Sequence, residues 1–143
     1  LSLVGSEMCI RDRTKTKQIR KNNQIRTLLR NKKTALILGN GGSSKTIQFA
    51  LNKLNIRCKV VSRNTDFDYH QITKQIIDSV EIIINCTPVG TYPKIEEYPQ
   101  LPYNLLNSKH LLYDLVYNPK QTKFLTFGLV SLVSSLSPQI CPI

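Results

Sequence analysis

TALILGNGGSSKT, residues 34–46, is the segment that decides the fold. A short apolar run, Thr34–Leu38, leads directly into a cluster of glycines, as is typical of a buried parallel strand. From Ser43 onward, Ile47, Ala50, Leu51 and Leu54 recur at helical spacing, and the polar stretch 52–55 ends the pattern. The segment therefore predicts a strand, a glycine loop and a helix in succession.

The rest of the chain repeats this alternation of strand and helix. Three further apolar runs predict strands at Cys58–Ser62, Val80–Ile84 and Leu111–Val116. Helices are predicted within 66–79 and from Gln121, and the Pro-rich and Gly-rich stretch 85–102 predicts a loop. Strands that alternate with helices imply right-handed crossovers and a parallel sheet. The predicted fold is α/β, a Rossmann-like doubly wound parallel sheet that is truncated.

The glycine loop has a dinucleotide-binding interpretation. Gly39 would make the tight turn, and the next glycine would let the backbone approach a pyrophosphate at the helix N-terminus. Ser44 stands where a small residue allows the helix to pack closely on the strand. The alternative interpretation is that this segment is an ordinary turn that binds no ligand. The candidate diphosphate-binding residues are Gly39, Asn40, Gly41, Gly42 and Ser43.

The same letters also lie one residue away from a P-loop, GxxxxGK[ST]. Lys45 and Thr46 fit that pattern, but Ser44 stands where it requires glycine. Asp114, which follows an apolar run, is a candidate for the magnesium-binding acid. A P-loop nucleotide-binding domain is therefore kept as an alternative.

The residues after the second strand bear on the type of cofactor. NAD-binding domains carry an acid there for the ribose hydroxyls, whereas this chain has Ser62, Arg63, Asn64 and Thr65. A guanidinium can pair with a 2′-phosphate in a bidentate, charge-assisted way, and an acid would repel it. The segment predicts NADP rather than NAD, the alternative being an ordinary surface arginine. A P-loop has no use for this arginine.

Four segments together resemble shikimate dehydrogenase, and the resemblance extends from about residue 34 to 127. They are GNGGSSKT, SRNT, INCTPVGTYP and DLVYNPKQTKFL. The resemblance implies an NADP-dependent oxidoreductase that interconverts 3-dehydroshikimate and shikimate on the route to chorismate and aromatic amino acids, a cytoplasmic enzyme. It implies that the substrate contacts Tyr117. It also implies that the cofactor contacts a further set of residues: Asn85, Thr87, Pro88, Val89, Gly90 and Leu115. The family's catalytic Lys–Asp pair belongs to a preceding domain, so no catalytic residue and no metal site is assigned in this chain.

Some of these assignments have support from the residues themselves. Asn85 and Thr87 follow a buried strand at its carboxyl end, where open parallel sheets bind ligands. Pro88 and Gly90 predict a rigid turn. Tyr117 could equally be a core aromatic residue, and Asp114 is expected to anchor backbone or cap a helix rather than bind metal. No chemistry is assigned to His70 or His110.

The charge is concentrated in one part of the chain. Residues 1–33 hold ten of the twenty Lys and Arg and two of the nine acids, so they supply +8 of the net +11. A basic nucleic-acid-binding module remains a further alternative, although the segment lacks interleaved aromatic residues. We expect no nucleic acid and no membrane partner, since no apolar run is long enough to span a bilayer. Oligomeric state is not predicted.

The domain division follows from these patterns. Residues 1–13, LSLVGSEMCIRDR, look like translated adapter read-through, residues 14–33 are a basic linker or helix, and 34–127 form the NADP-binding domain. Residues 128–143 are expected to be a truncated or out-of-frame tail, and within it the stretch from Ser131 to Ile143 has neither helical nor strand periodicity. The four cysteines have no metal-ligand spacing and are expected to be reduced. As a fragment, the chain is expected to bind NADP weakly and not to turn over shikimate.

Overall fold

The computed structural model describes residues 2–3 and 29–136, and these contain a single sheet. Its strands are β1 (Ser2–Leu3), β2 (Thr34–Leu38), β3 (Arg57–Val61), β4 (Ile82–Asn85) and β5 (Leu111–Asp114). They lie in the order β1-β5-β4-β2-β3, and β2 to β5 are mutually parallel. The two-residue β1 pairs antiparallel with β5. The parallel α/β fold predicted from the alternating pattern is confirmed.

Helices cover both faces of the sheet, as a doubly wound fold requires. Helix α1 (Gly42–Lys53) buries Leu51 against Ala35 and Ile37 on one face. Helix α2 (Lys74–Ser79) and helix α3 (Lys123–Leu136) bury Ile77 and Phe124 on the other. Alternate residues of β2 thus enter different cores, so the strand is apolar on both sides.

The strand order reverses direction between β2 and β4. The connection from β2 runs outward to β3, and the connection from β4 runs outward to β5 on the opposite side. The loops that leave β2 and β4 therefore diverge above adjacent strand ends. In open α/β sheets this switch point is where ligands bind.

Two strand boundaries differ from the predicted ones by two residues, whereas both ends of β3 and the end of β4 differ by one. Val80, predicted as the start of a strand, is instead the buried residue that ends α2, with its N–H donating to the Ile77 carbonyl. Strand β5 ends at Asp114 rather than Val116, because the Val116 N–H donates to the Asp114 carboxylate at 2.9 Å. Such a local side-chain bond removes the residue from the strand ladder.

Helix α3 is longer than the sequence pattern indicates. The expectation that residues from Ser131 onward lack helical structure is wrong as far as Leu136. Gly128 lies where the helix crosses β5, and a Cβ there would be 1.8 Å from Leu112 Cδ1. The glycine thus permits close packing instead of ending the helix, and the predicted boundary after residue 127 falls inside α3.

Several sequence-based expectations lie outside the described residues. They concern most of 1–13, residues 14–28 of the basic segment, residues 137–143, and Cys9 and Cys141. The domain boundaries themselves stay predictions. In the part of the chain that is described, no helix has the length and apolar character needed to cross a membrane.

His110 is a buried structural residue at the base of α2. Its Nδ1 accepts the Asn107 N–H at 3.0 Å, which leaves Nε2–H to donate to the Ile77 carbonyl at 3.0 Å. The imidazole is thus held by backbone groups at the end of α2, where the Ile77 carbonyl also accepts the Val80 N–H.

Candidate functional site at the carboxyl edge of the sheet

Gly39, the first residue after β2, contacts the end of β3 and the loop that leaves β4. Its N–H donates to the Val61 carbonyl at 2.7 Å, and its φ of 101° lies in the region that favours glycine. A Cβ at this position would be 2.9 Å from Thr87 Cγ2 and 3.4 Å from the Cys86 carbonyl group. The tight turn predicted at Gly39 is therefore observed, and it brings the β2 and β4 loops into contact.

The N-terminus of α1 is open toward the same edge. Gly41 is the N-cap, no side chain caps the helix, and its first turn contains no acid. A Cβ added to Gly41 or Gly42 would meet nothing within 4 Å. Ser44 is fully buried and its Oγ accepts a hydrogen bond from Gln48, as expected for a small residue that packs on the sheet. The exposed backbone amides and the helix dipole can receive a phosphate group.

The loop after β3 is held by its own hydrogen bonds. The Thr65 hydroxyl lies 3.2 Å from the Ser62 carbonyl and 2.9 Å from the Phe67 carbonyl, and the Ser62 N–H donates to Phe67. Arg63 projects from this loop and is exposed. It starts two residues after Val61, the residue bonded to Gly39, so Arg63 lies at the same edge as the glycine loop. Its positive charge acts to lower the pKa of Tyr69, although burial raises that pKa overall.

The loop after β4 forms the rigid turn predicted from Pro88 and Gly90. The Thr91 N–H donates to the Pro88 carbonyl at 3.1 Å, and Gly90 has a φ of 88°. A Cβ on Gly90 would be 2.9 Å from the Glu97 carbonyl oxygen, so this position requires glycine on two grounds. Val89 donates its N–H to the Thr87 hydroxyl at 3.3 Å.

A buried hydrogen-bond network lies beneath this turn. Asn85 and Asp114 are a register pair on β4 and β5, both fully buried, and the Asn85 amide donates to Asp114 Oδ1 at 3.0 Å. The side-chain oxygen of Asn85, Oδ1, accepts hydrogen bonds from the Thr87 N–H at 3.0 Å and from the Thr87 hydroxyl at 2.6 Å. The Asn85 side chain is thus engaged with protein groups, so it orders the Thr87 loop from below.

Asp114 anchors backbone and a helix start, as expected from the sequence. Besides Asn85 it accepts the Val116 N–H, and its Oδ2 accepts the Thr122 hydroxyl at 2.5 Å. Thr122 directly precedes α3, and its oxygen also accepts the Leu125 N–H at 3.4 Å. Sequence reasoning did not single out Thr122, although a threonine just before a helix is an N-cap signal.

The pKa of Asp114 predicts a pH-dependent stability. Burial, the largest cause, raises this pKa above 3.8, although hydrogen bonds from Thr122, Val116 and Asn85 act to lower it. The folded chain therefore binds this proton more tightly than the unfolded chain. Between 3.8 and the raised pKa, the free energy of unfolding falls as pH rises. We expect Asp114→Asn to remove this slope, measured as urea unfolding of both proteins between about pH 3.5 and 7.

The quantity to compare is the difference in the free energy of unfolding between the unmodified chain and Asp114→Asn at each pH. Because the two proteins share all other titrating groups, the contributions of those groups cancel in this difference. The prediction is wrong if the unmodified chain gains stability relative to Asp114→Asn as pH rises through this range. That result would mean that the hydrogen bonds outweigh burial and lower the pKa.

The loop after β5 touches the loop after β4. The Leu115 N–H donates to the backbone carbonyl of Asn85 at 3.1 Å, and the Tyr92 N–H donates to the backbone carbonyl of Asn118 at 3.0 Å. Tyr117 is 69% exposed, so it is not a core aromatic residue. The structure therefore brings all the sequence-predicted site residues to one edge, distributed over four adjacent loops.

Comparison with known proteins agrees with this arrangement. The chain is 36% identical over 113 residues to the NADP(+) shikimate dehydrogenase of Methanosphaera stadtmanae, an alignment that covers 65% of this chain and 40% of the relative. It is 33% identical over 121 residues to that of Prochlorococcus marinus strain MIT 9301, covering 68% and 42%. The chain is related to the shikimate dehydrogenases. It spans about two fifths of the length of these relatives.

Solved structures of shikimate dehydrogenases share the fold. The crystal structure of the Aquifex aeolicus shikimate dehydrogenase matches 79% of this chain and 46% of its own with a TM-score of 0.62 and 26% identity. A shikimate dehydrogenase in complex with NADP+ matches 76% and 46% with a TM-score of 0.56 and 25% identity. No family model matches the chain. The resemblance inferred from the four sequence segments is confirmed.

Proposed function

We propose that this chain is the NADP-binding domain of a shikimate dehydrogenase, which reversibly reduces 3-dehydroshikimate to shikimate with NADPH. The observation that carries the proposal is the set of contacts that Gly39 makes at the switch point of the sheet. Gly39 lies two residues before Gly41, the N-cap of α1, and it lies against Thr87 in the loop after β4. Its N–H donates to Val61 at the end of β3, the strand that leads into the Arg63 loop. This is the arrangement that a dinucleotide needs, because its diphosphate and two riboses span adjacent strand ends.

The residues present fit the cofactor. The diphosphate would rest on the backbone amides from Gly41 to Ser43, where no side chain competes and the space beside Gly41 and Gly42 is open. Arg63 would pair with the 2′-phosphate. The Thr87–Gly90 turn and the Leu115 backbone would border the nicotinamide half, and Tyr117 would contact substrate. Bound NADP supplies the hydride chemistry.

Within this proposal, the chain's own residues bind and orient but do not transfer a proton to the substrate. The proton donor and acceptor would be the Lys–Asp pair that the family carries outside the matched region. We propose accordingly that the chain alone does not oxidise shikimate. A cytosolic location belongs to the same proposal, supported by the half-buried thiols of Cys58 and Cys86, which are free.

The P-loop alternative lacks support from the site. Asp114, its candidate magnesium ligand, is fully buried and already accepts three protein hydrogen bonds. A basic nucleic-acid-binding module would reside in residues 14–33, of which 14–28 lie outside the described part of the chain.

Ligand binding by the 143-residue chain tests the proposal. We expect NADPH to bind in the absence of magnesium, as measured by isothermal titration calorimetry, and Lys45→Ala to change its affinity less than about threefold. The reason is that a Rossmann loop holds the diphosphate with backbone amides. A P-loop instead needs its lysine for the β- and γ-phosphates.

The competing ligand in this experiment is ATP with magnesium. Tight, magnesium-dependent ATP binding that is abolished by Lys45→Ala would reject the Rossmann assignment in favour of a P-loop.

A further inference from the structure

We infer that the Asp114 carboxylate is a positioning group that fixes the nicotinamide-side loops after β4 and β5 in one arrangement. The inference rests on the proposed function for the identity of the ligand. Asp114 itself touches neither the open space beside α1 nor the Arg63 loop. It acts through Asn85 on the Thr87 turn and through Val116 on the loop that carries Tyr117.

The first step is that Asp114 determines the orientation of the Asn85 amide. A carboxylate only accepts hydrogen bonds, so Asn85 must present its NH₂ group to Asp114 Oδ1, 3.0 Å away. The side-chain oxygen of Asn85, Oδ1, then accepts hydrogen bonds from the Thr87 N–H and hydroxyl. If the amide were reversed, its NH₂ group would face the Thr87 N–H, and two donors would oppose each other.

The second step is that Thr87 transmits this orientation to the ligand-facing turn. Its hydroxyl donates to Asn85 and accepts from the Val89 N–H at 3.3 Å. Its methyl group lies against Gly39, where it would be 2.9 Å from an added Cβ. Displacement of Thr87 would therefore move the turn and its contact with the glycine loop together.

The third step is that the same carboxylate holds the neighbouring loop. Asp114 Oδ1 also accepts the Val116 N–H at 2.9 Å, one residue before Tyr117. The two loops are bonded again farther out, through the Tyr92 N–H and the Asn118 carbonyl. Asp114 Oδ1 thus accepts one hydrogen bond from Asn85, at the end of β4, and one from Val116, in the loop after β5.

The fourth step is that Asp114 has no ion-pair partner within residues 2–3 and 29–136. Burial of a carboxylate is costly unless hydrogen bonds satisfy it, and Asp114 accepts three, from Asn85, Val116 and Thr122. An apolar side chain at this position would leave the donors of Asn85, Val116 and Thr122 without their acceptor inside the protein.

The experiment compares two ligands on the full chain. NADPH reaches both halves of the site, whereas 2′,5′-ADP contains only the adenosine half and its phosphates. We expect Asp114→Ala to reduce the affinity advantage of NADPH over 2′,5′-ADP by about tenfold, the effect of a displaced hydrogen-bonding group, and to leave 2′,5′-ADP affinity unchanged. Asp114→Asn should restore the advantage, because its oxygen can still face Asn85 and Val116 while its NH₂ group donates to Thr122.

Thr122→Val is the matched control. It removes the bond from Asp114 to the start of α3 and leaves those to Asn85 and Val116, so the ligand ratio should stay unchanged. A general loss of stability would lower both affinities equally in all variants. Equal loss for both ligands, or an unchanged ratio in Asp114→Ala, overturns the inference.

Two further measurements keep the inference testable. If Asp114→Ala does not fold, Asn85→Ala takes its place, because it removes the hydrogen bonds between Asn85 and Thr87. It should lower the ratio of NADPH to 2′,5′-ADP affinity by the same factor, and an unchanged ratio would overturn the inference.

If the unmodified chain binds neither ligand, the proposed function fails by itself. Amide hydrogen exchange at Thr87 and Val89 then decides, since it should accelerate in Asp114→Ala and not in Thr122→Val, and equal rates in both would overturn the positioning role.

Discussion

Replacing Arg63 by alanine is expected to weaken NADPH binding by roughly 10- to 100-fold and to leave NADH binding unchanged. The two cofactors differ only in the 2′-phosphate, and in the proposed site Arg63 is the group that pairs with it. A charge-assisted, bidentate interaction has an effect of this size. Isothermal titration of the full chain with each cofactor measures both values.

Arg57→Ala is the matched control for this prediction. Arg57 is an exposed arginine at the amino end of β3, about 13 Å from the end of the strand that leads into the Arg63 loop. Its removal should change neither affinity. Equal losses of NADPH affinity in both variants would show that only the general positive charge matters and would contradict the assignment of Arg63.

Gly39→Ala is expected to lower the free energy of unfolding by about 2–5 kcal/mol, combining backbone strain with overpacking. The φ of 101° disfavours any side chain, and the new methyl group would be 2.9 Å from Thr87 Cγ2. Relief requires that the β2 and β4 loops separate, so NADPH binding should be lost as well. Urea unfolding followed by circular dichroism gives the stability change.

Gly41→Ala provides the comparison within the same loop. Gly41 has an ordinary φ of −88°, and an added Cβ would meet nothing within 4 Å. The free energy of unfolding of Gly41→Ala should therefore fall by no more than about 1 kcal/mol, the cost of alanine in place of glycine at an N-cap. If Gly39→Ala is as stable as Gly41→Ala, the contact between the two loops does not have the rigidity that we assign to it.

The sequence was most informative where local chemistry decides the structure. Thr34–Leu38 is buried on both sides and leads into a turn that only glycine adopts easily, so the pattern predicts both the strand and its end. Val80 shows the limit of this reasoning. Its apolar side chain is buried, as in a strand, but it ends a helix, and hydrophobicity alone does not distinguish these two environments.

The candidate site divides in the same way. The tight turn at Gly39 could be predicted because its chemistry is local, and the pairing of Arg63 with a phosphate stays a prediction. The network of Asn85, Asp114 and Thr122 could not, since it depends on which residues of β4 and β5 lie side by side. Similarly, Gly128 resembles a helix breaker in sequence, and only the packing of α3 on Leu112 shows why it lies within the helix.

The hydrogen bonds at the carboxyl edge also determine how the cofactor preference could be redesigned. The loop after β3 is closed by bonds from Thr65 and Ser62 to its own backbone, so it forms a module that could be exchanged for an acidic, NAD-type loop without disturbing its neighbours. The loops after β4 and β5 share Asp114 and the bond between Tyr92 and Asn118. A graft on the nicotinamide side would therefore succeed only if both loops were transplanted together.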